Sequence, residues 1–188
     1  MSLAILRGLC YDMWMSKKER YLSRSASHVY FLRKFNGKWQ VLLLLEKKPD
    51  GKIYYETVGG HVEKGEAFVE AGHREGGEEV ELSYDDSDII FVTIIDVGTA
   101  DRKLNPTGER YVNAHFFVDK FRGTPQIGEP DKVIQMGWYD LDDLPKNLSF
   151  DRAKAIENFK NGTFYSEVGH KKKSLDISNR QSGIIKHV

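Results

Sequence analysis

The chain has 188 residues, enough for one domain with a sizeable core and too few for two enzymatic ones. Lysine plus arginine equals aspartate plus glutamate at 28 each, so no global field draws the chain to nucleic acid or to an anionic membrane. The single Cys10 excludes an intramolecular disulfide, and no apolar run approaches the roughly 18 residues of a spanning helix, so a cytoplasmic protein without membrane or nucleic-acid partners is expected.

Residues 1–25 show no clear period and read as an N-terminal extension; no small-residue cleavage pattern follows the mildly apolar stretch 3–14. From Ser27 the pattern changes. Residues 28–35 and 38–46 are strand-like and are joined by Asn36-Gly37, a strong hairpin signal. The unbroken apolar run 41–45 predicts a strand covered on both faces. Residues 53–58 predict a short strand feeding the glycine turn Gly59-Gly60. Further on, 88–97, 110–121 and 132–139 are rich in β-branched and aromatic residues and read as strands. Ser149 is placed to cap a helix over 150–161, with Phe150, Ala153, Ile156 and Phe159 on its buried stripe and Gly162 as its stop. Strands broken by one mid-chain helix and closed by another predict an α/β or α+β domain.

That mid-chain helix carries the chemistry. Residues 59–82 read GGHVEKGEAFVEAGHREGGEEVEL. At about 100° per residue, Glu75, Glu78 and Glu79 fall within an arc of roughly 100°. Like charges at that spacing repel by a few tenths of a kcal/mol per pair unless a cation sits among them. Oxygen-only donors crowded on one face suit a hard divalent ion, Mg2+ or Mn2+.

The spacing of Gly60, Glu66, Arg74, Glu75, Glu78 and Glu79 resembles the Nudix box, a loop-helix-loop motif of Mg2+-dependent pyrophosphohydrolases. Two positions depart from it. Gly76 stands where the motif has a non-glycine residue, which weakens a helix, and Glu81 stands where it has a glycine suited to a left-handed helix end. Residues 128–132 and 137–145 are similar to the last strand and following loop of MutT-like members, and 162–169 to their C-terminal helix region. The resemblance implies an α/β/α sandwich with a mixed β-sheet over 26–169, leaving 170–188 as a weakly ordered tail.

It also implies roles. Glu75 and Glu79 would be metal ligands with Glu78 beside them, and the Gly59 carbonyl would add a fourth donor. Arg74 would orient Glu75, while Glu66 would pair with Arg74 or brace the loop. The general base would be Glu75 or a later acid, with Glu129 first and Asp131 second. The implied reaction is cleavage of a nucleoside diphosphate linked to another group, foremost a nucleoside triphosphate to monophosphate and pyrophosphate. The alternatives are an ADP-ribose or dinucleotide pyrophosphatase and a non-catalytic nucleotide sensor. Isoprenoid diphosphate isomerisation would need a reactive cysteine, and Cys10 lies outside the domain. A homodimer is a family-level expectation. Glu70, four residues before Arg74, reads as a surface ion pair. His61 and His73 read as incidental, and Lys171–Lys173 as a solvated run. Tyr30, Phe117 and Trp138 are the aromatics that could stack on a base, against the commoner reading of core. The loops 98–109 and 122–130 are the expected specificity segments.

Overall fold

The computed structural model describes residues 22–101, 103–105, 107–171 and 176–178. Most of the expected N-terminal extension, Cys10, and the tail apart from 170, 171 and 176–178 lie outside them. The elements run β1 Ser23–Phe35, β2 Lys38–Lys47, β3 Ile53–Glu56, β4 Val58–His61, α1 Phe68–Val80, β5 Ile89–Val97, β6 Arg110–Val118, β7 Val133–Asp140, α2 Phe150–Asn161, β8 Thr163–Val168 and β9 Asp176–Ser178.

The hairpin forms as the dipeptide predicts: Asn36 and Gly37 both take positive φ, 48° and 80°, the twist that joins adjacent strands without splaying them. β1 is long because it serves two neighbours on one edge. Its residues Ala26–Val29 pair with β4, and Leu32–Phe35 pair with β2. Its other edge runs parallel to β6. β2 is shared in the same way, with β1 and then β3 on one edge and β7 on the other. The run 53–58, expected as one strand, is therefore two: the chain leaves β2 after Glu56 and joins β1 at Val58. β1–β6 and β5–β8 are parallel and the remaining pairs antiparallel, so the sheet is mixed.

Alternation along the central strands sends side chains to two cores. Val29, Phe31, Leu42 and Leu44 pack with Val80, Leu82 and Tyr84 on the α1 side. Tyr30, Leu32, Val41 and Leu43 pack with Ala155 and Ile156 on the α2 side. The apolar run 41–45 thus divides by parity between the two faces, as a doubly covered strand requires. β1 begins at Ser23, three residues before the expected domain boundary, because its register against β6 starts there. Residues 163–168, expected in a helical region, form β8: Gly162 ends α2 with φ 65°, and the β-prone Thr163, Phe164, Tyr165 and Val168 continue alongside β5. Residues 176–178 of the tail add β9 to that edge.

The α2 stripe is more polar than predicted. Ala153 is exposed, whereas Ala155, Ile156, Asp151 and Asn158 are buried. Asn158 Nδ2 donates to Thr93 Oγ1 (3.0 Å) and Ser166 Oγ (2.9 Å), which satisfies it under the sheet. Ser149 makes no cap; its hydroxyl donates to Glu56 instead.

Candidate active site

The expected glycine turn at Gly59-Gly60 is part of strand β4, paired with Ser27 and His28 of β1, and it is glycine by necessity. Gly59 has φ 148°, and a Cβ there would fall 2.2 Å from the Ser27 carbonyl oxygen. A Cβ on Gly60 would fall 2.2 Å from Glu75 Oε1. The Gly59 N–H donates to Glu79 Oε2 at 2.9 Å. Two carboxylates, one helical turn apart, therefore close on the same bare backbone.

The helix that presents them is held at both ends by acids. Ala67 has no side-chain acceptor, so Glu70 Oε2 reaches back to the Ala67 N–H at 2.7 Å. Glu70 is thus a helix-start acceptor and not the surface partner of Arg74. At the far end Glu81 takes the left-handed conformation, φ 57° and ψ 31°, that the motif reserves for glycine. Gly76 is also accounted for. A Cβ there would stand 3.3 Å from both the Leu82 carbonyl oxygen and Phe31, so its absence lets α1 lie against β1.

Arg74 gathers the first group of acids. Its Nε donates to Glu66 Oε1 at 3.0 Å, Nη1 to Glu75 Oε1 at 2.8 Å and to Glu78 Oε2 at 3.0 Å, and Nη2 to the His61 carbonyl at 3.0 Å. Glu66 also accepts the Glu63 N–H at 2.9 Å, so it both pairs with Arg74 and braces the loop. The hydrogen bond from Arg74 holds Glu66 below the usual carboxylate range. Burial pushes Glu75 up, against the pull of Arg74.

Glu79 is the buried member, 1% exposed. Burial pushes it up to about 7, while Lys132 and the Gly59 N–H act in the opposite sense. Lys132 Nζ lies 2.6 Å from Glu79 Oε1 and 3.0 Å from Glu129 Oε2. Burial acts to lower Lys132, but Glu79 and Glu46 more than offset it and its pKa is raised. Burial alone favours the neutral acid at Glu79 and the close contact favours the ion pair. The ion pair gives both groups a charged partner, and it is the state that fits a 2.6 Å separation.

From this pair an alternating series of charges runs along the sheet. Lys132 approaches Glu46 at 3.8 Å, Glu46 meets Lys48 at 2.8 Å, Lys48 meets Glu56 at 3.0 Å, and Glu56 meets Arg152 at 2.9 Å. Arg152 Nε makes no hydrogen bond despite that distance, so the last contact is coulombic. Together with Gly59, Gly60, His28 and Tyr111 these side chains line a cavity of about 250 Å³. Both His28 nitrogens and Asn113 Oδ1, on lining residues, are among the buried polar atoms with no hydrogen-bond partner among the described residues. Burial, reinforced by Arg152, holds His28 and His115 well below the usual histidine pKa, so both rings are neutral.

Of the residues singled out in the sequence, the structure brings Gly59, Gly60, Glu66, Arg74, Glu75, Glu79 and Glu129 into one site. The Glu78 side chain is 58% exposed and faces Arg74. Among the described residues no three acidic, imidazole or thiol groups converge as they stand to hold an ion. Arg74 and Lys132 sit on the carboxylates that an ion would need. The donor set itself fits a hard cation: oxygen only, beside a backbone with no Cβ in the way. Tyr30 and Phe117, offered for stacking, are fully buried, with Tyr30 Oη 3.0 Å from His115 Nδ1. Trp138 lies under the Arg33 guanidinium. His73 stacks on Tyr84 and contacts Asp86. Of the loop 98–109, Gly98, Thr99 and Ala100 line a separate crevice of about 570 Å³ with Asp96, Arg110 and His170.

Lys132, Glu46, Lys48, Glu56, Arg152 and His28 were not predicted. Their only signal is charge in strand-like context, Glu46 to Lys48 directly after the buried run 41–45, which implies a partner without naming it.

The family model for the NUDIX domain matches residues 23–159. The chain belongs to the Nudix family. It is similar to the MutT NUDIX hydrolase from Burkholderia pseudomallei, at 26% identity over 73% of this chain and 98% of that one, with a TM-score of 0.61. The same fold is seen in the NUDIX domain of Shewanella oneidensis NrtR complexed with ADP ribose, at 16% identity over 86% and 98% of the two chains, TM-score 0.60. It is seen again in a C. elegans Ap4A hydrolase binary complex, at 18% identity over 73% and 96%, TM-score 0.53. This Nudix protein is accordingly a hydrolase of the MutT-like group, acting on the phosphoric anhydride bonds of substrates that contain a linked nucleoside diphosphate. No helix among its described residues is long and apolar enough to cross a membrane.

Proposed function

We propose that this Nudix hydrolase cleaves a nucleoside triphosphate to the monophosphate and pyrophosphate with Mg2+ or Mn2+, water adding at one phosphorus as the anhydride bond breaks. The observation that carries the reading is the closure of Glu75 and Glu79 on Gly59-Gly60 of β4, where a side chain at residue 60 would collide with the first carboxylate. A divalent ion held there by Glu75, Glu79 and the Gly59 carbonyl, with Glu78 alongside, would neutralise phosphate charge and acidify a water. Arg74 keeps Glu75 aimed at these glycines, and Glu75 or Glu129 takes the proton from the attacking water. The adjacent cavity, about 250 Å³, lies just below the usual range for small-molecule pockets and suits one nucleoside better than two. That size favours a mononucleotide over a dinucleotide.

The test is phosphate and pyrophosphate release from a panel of nucleoside triphosphates, ADP-ribose, NADH and diadenosine polyphosphates with each ion. Triphosphates should give the monophosphate plus pyrophosphate. Faster release from ADP-ribose than from any triphosphate would replace the substrate assignment. Turnover that survives Glu79→Gln would sink the role of Glu79. Binding of nucleotides without turnover of any of them would make the site a sensor.

A further inference from the structure

We propose that Lys132 is a tethered counter-cation of this site: it holds Glu79 while no ion is bound, and passes to a phosphate oxygen of the substrate when an ion takes the carboxylate. The inference rests on Glu79 being a metal ligand, as proposed above.

The backbone around Lys132 is fixed and its side chain is not. Gly128, at the start of the segment, has no room for a side chain, since its Cβ would fall 1.8 Å from the Glu78 carbonyl oxygen. The Gly128 N–H donates to the Glu79 carbonyl at 2.9 Å, which seats the loop on the end of α1. The Lys132 N–H donates to the Glu129 carbonyl at 3.1 Å, and the Lys132 carbonyl accepts from the Lys47 N–H at 3.2 Å. The side chain extends from this anchored point and keeps 41% of its surface exposed, so the ammonium can leave Glu79 without moving the fold.

Glu79 cannot be left without a cation. It is 1% exposed, and the Gly59 N–H occupies only one of its oxygens. An ionised carboxylate in that position needs a charged partner. Lys132 and a divalent ion compete for the same oxygen, and their like charges prevent joint occupancy at hydrogen-bonding distance. The displaced ammonium still lines the cavity beside Gly59 and Gly60, with Glu129 and Glu46 behind it. A phosphate oxygen arriving with the ion supplies the anionic partner that Glu79 gave up.

The experiment compares the wild-type chain, Lys132→Met and Glu79→Gln in two titrations. The first follows free Mn2+ by electron paramagnetic resonance with no substrate present. The second follows inorganic pyrophosphate binding at saturating Mn2+. Loss of one charge-assisted contact corresponds to about tenfold in affinity. Lys132→Met should bind Mn2+ about tenfold tighter, because the competitor is gone, and pyrophosphate about tenfold weaker. Its melting temperature should fall in chelator and recover when Mn2+ is added. Unchanged or weaker Mn2+ binding in a folded Lys132→Met protein overturns the counter-cation role. Unchanged pyrophosphate binding overturns the transfer to phosphate. If Glu79→Gln binds Mn2+ as wild type does, the ligand assignment of Glu79 fails, and the inference falls with it.

Discussion

The site has two walls built in opposite ways. The α1 wall is Arg74 with Glu66, Glu75 and Glu78, thirteen residues from first to last, part-exposed and mutually paired. The sheet wall is His28, Glu46, Lys48, Glu56, Lys132 and Arg152, spread over five segments of the chain and largely buried. On the first wall each charge finds its partner within about two turns of helix. On the second most partners come from elements distant in sequence, as in Lys48–Glu56, Glu56–Arg152 and Lys132–Glu79, and His28 has no hydrogen-bond partner among the described residues. Glu79 belongs to both: its position is set by α1, and its partner comes from 53 residues away. The difference shows where each wall fails. Damage to the exposed wall should alter chemistry with little effect on folding, whereas damage to the buried wall should alter both.

The largest expected effect is at the residue the walls share. On its proposed role as a metal ligand, Glu79→Gln should lower turnover by about 10³-fold, because several kcal/mol of charge stabilisation at the reacting phosphates would be lost with the ion. Glu78→Gln, with its exposed carboxylate, should cost no more than about tenfold. Steady-state rates on one triphosphate check both. Equal losses would erase the distinction between the buried and exposed acids.

The sheet wall contributes a pH dependence that the α1 wall lacks. His28 and His115 are neutral when folded, with pKa values depressed by burial, and take protons when unfolded. Their contribution is complete above the ordinary histidine pKa and is lost as pH falls below it. By pH 5.5 both histidines therefore weigh against the folded state. The other titrating groups of the chain add their own pH dependence to the profile. The histidine effect is therefore read as a difference. Urea unfolding of wild type and of His28→Leu between pH 7.5 and 5.5 should show the variant losing less stability than wild type as pH falls. Parallel pH profiles would mean that the His28 ring is charged or accessible in the folded chain.

This contrast also explains what the sequence made legible. Glu75, Glu78 and Glu79 could be grouped because helix geometry relates residues a few positions apart, while Gly59, Glu66 and Arg74 were pointed to by the resemblance to the Nudix box, itself a local pattern. The two-faced strand 41–45 and the end of α2 at Gly162 were legible for the same reason. Lys132 was not, since its link to Glu79 depends on Gly128 seating a loop on α1, a contact without a local signal. The split of 53–58 into β3 and β4, and of 163–168 into a strand, followed from partners elsewhere in the sheet. Tyr30 and Phe117 failed as stacking candidates because strand parity turns them into the α2-side core.

The seam between the walls gives a smaller, separable effect. In Gly60→Ala the new Cβ meets the far end of the Glu75 side chain, which can rotate away, so the melting temperature should change little. The carboxylate can no longer rest against the turn, and turnover should fall about 10- to 100-fold, as for other losses of ligand orientation. A large drop in melting temperature with unaltered turnover would show that Gly60 serves the fold and not the position of Glu75.

The smallest effect sits at the end of α1, where the chain departs from its motif. Glu81 occupies the left-handed region at φ 57°, a conformation that costs an ordinary residue roughly 1 kcal/mol. Its backbone N–H still closes the helix on Gly77 and Gly76, so the ending is intact and the strain lies in one residue. The Glu81 side chain offers partial compensation by accepting from Gln126 Nε2 at 2.8 Å. Glu81→Gly should relieve the backbone and lose that exposed hydrogen bond, for a net gain of about 0.5 kcal/mol in urea unfolding. Turnover should stay within twofold of wild type, since Glu81 does not line the cavity and its carboxylate bonds Gln126, or about 0.4 kcal/mol at most. Destabilisation instead would mean that the Gln126 contact, by holding loop 122–130 onto α1, outweighs the strain, and would tie the position of Lys132 to residue 81.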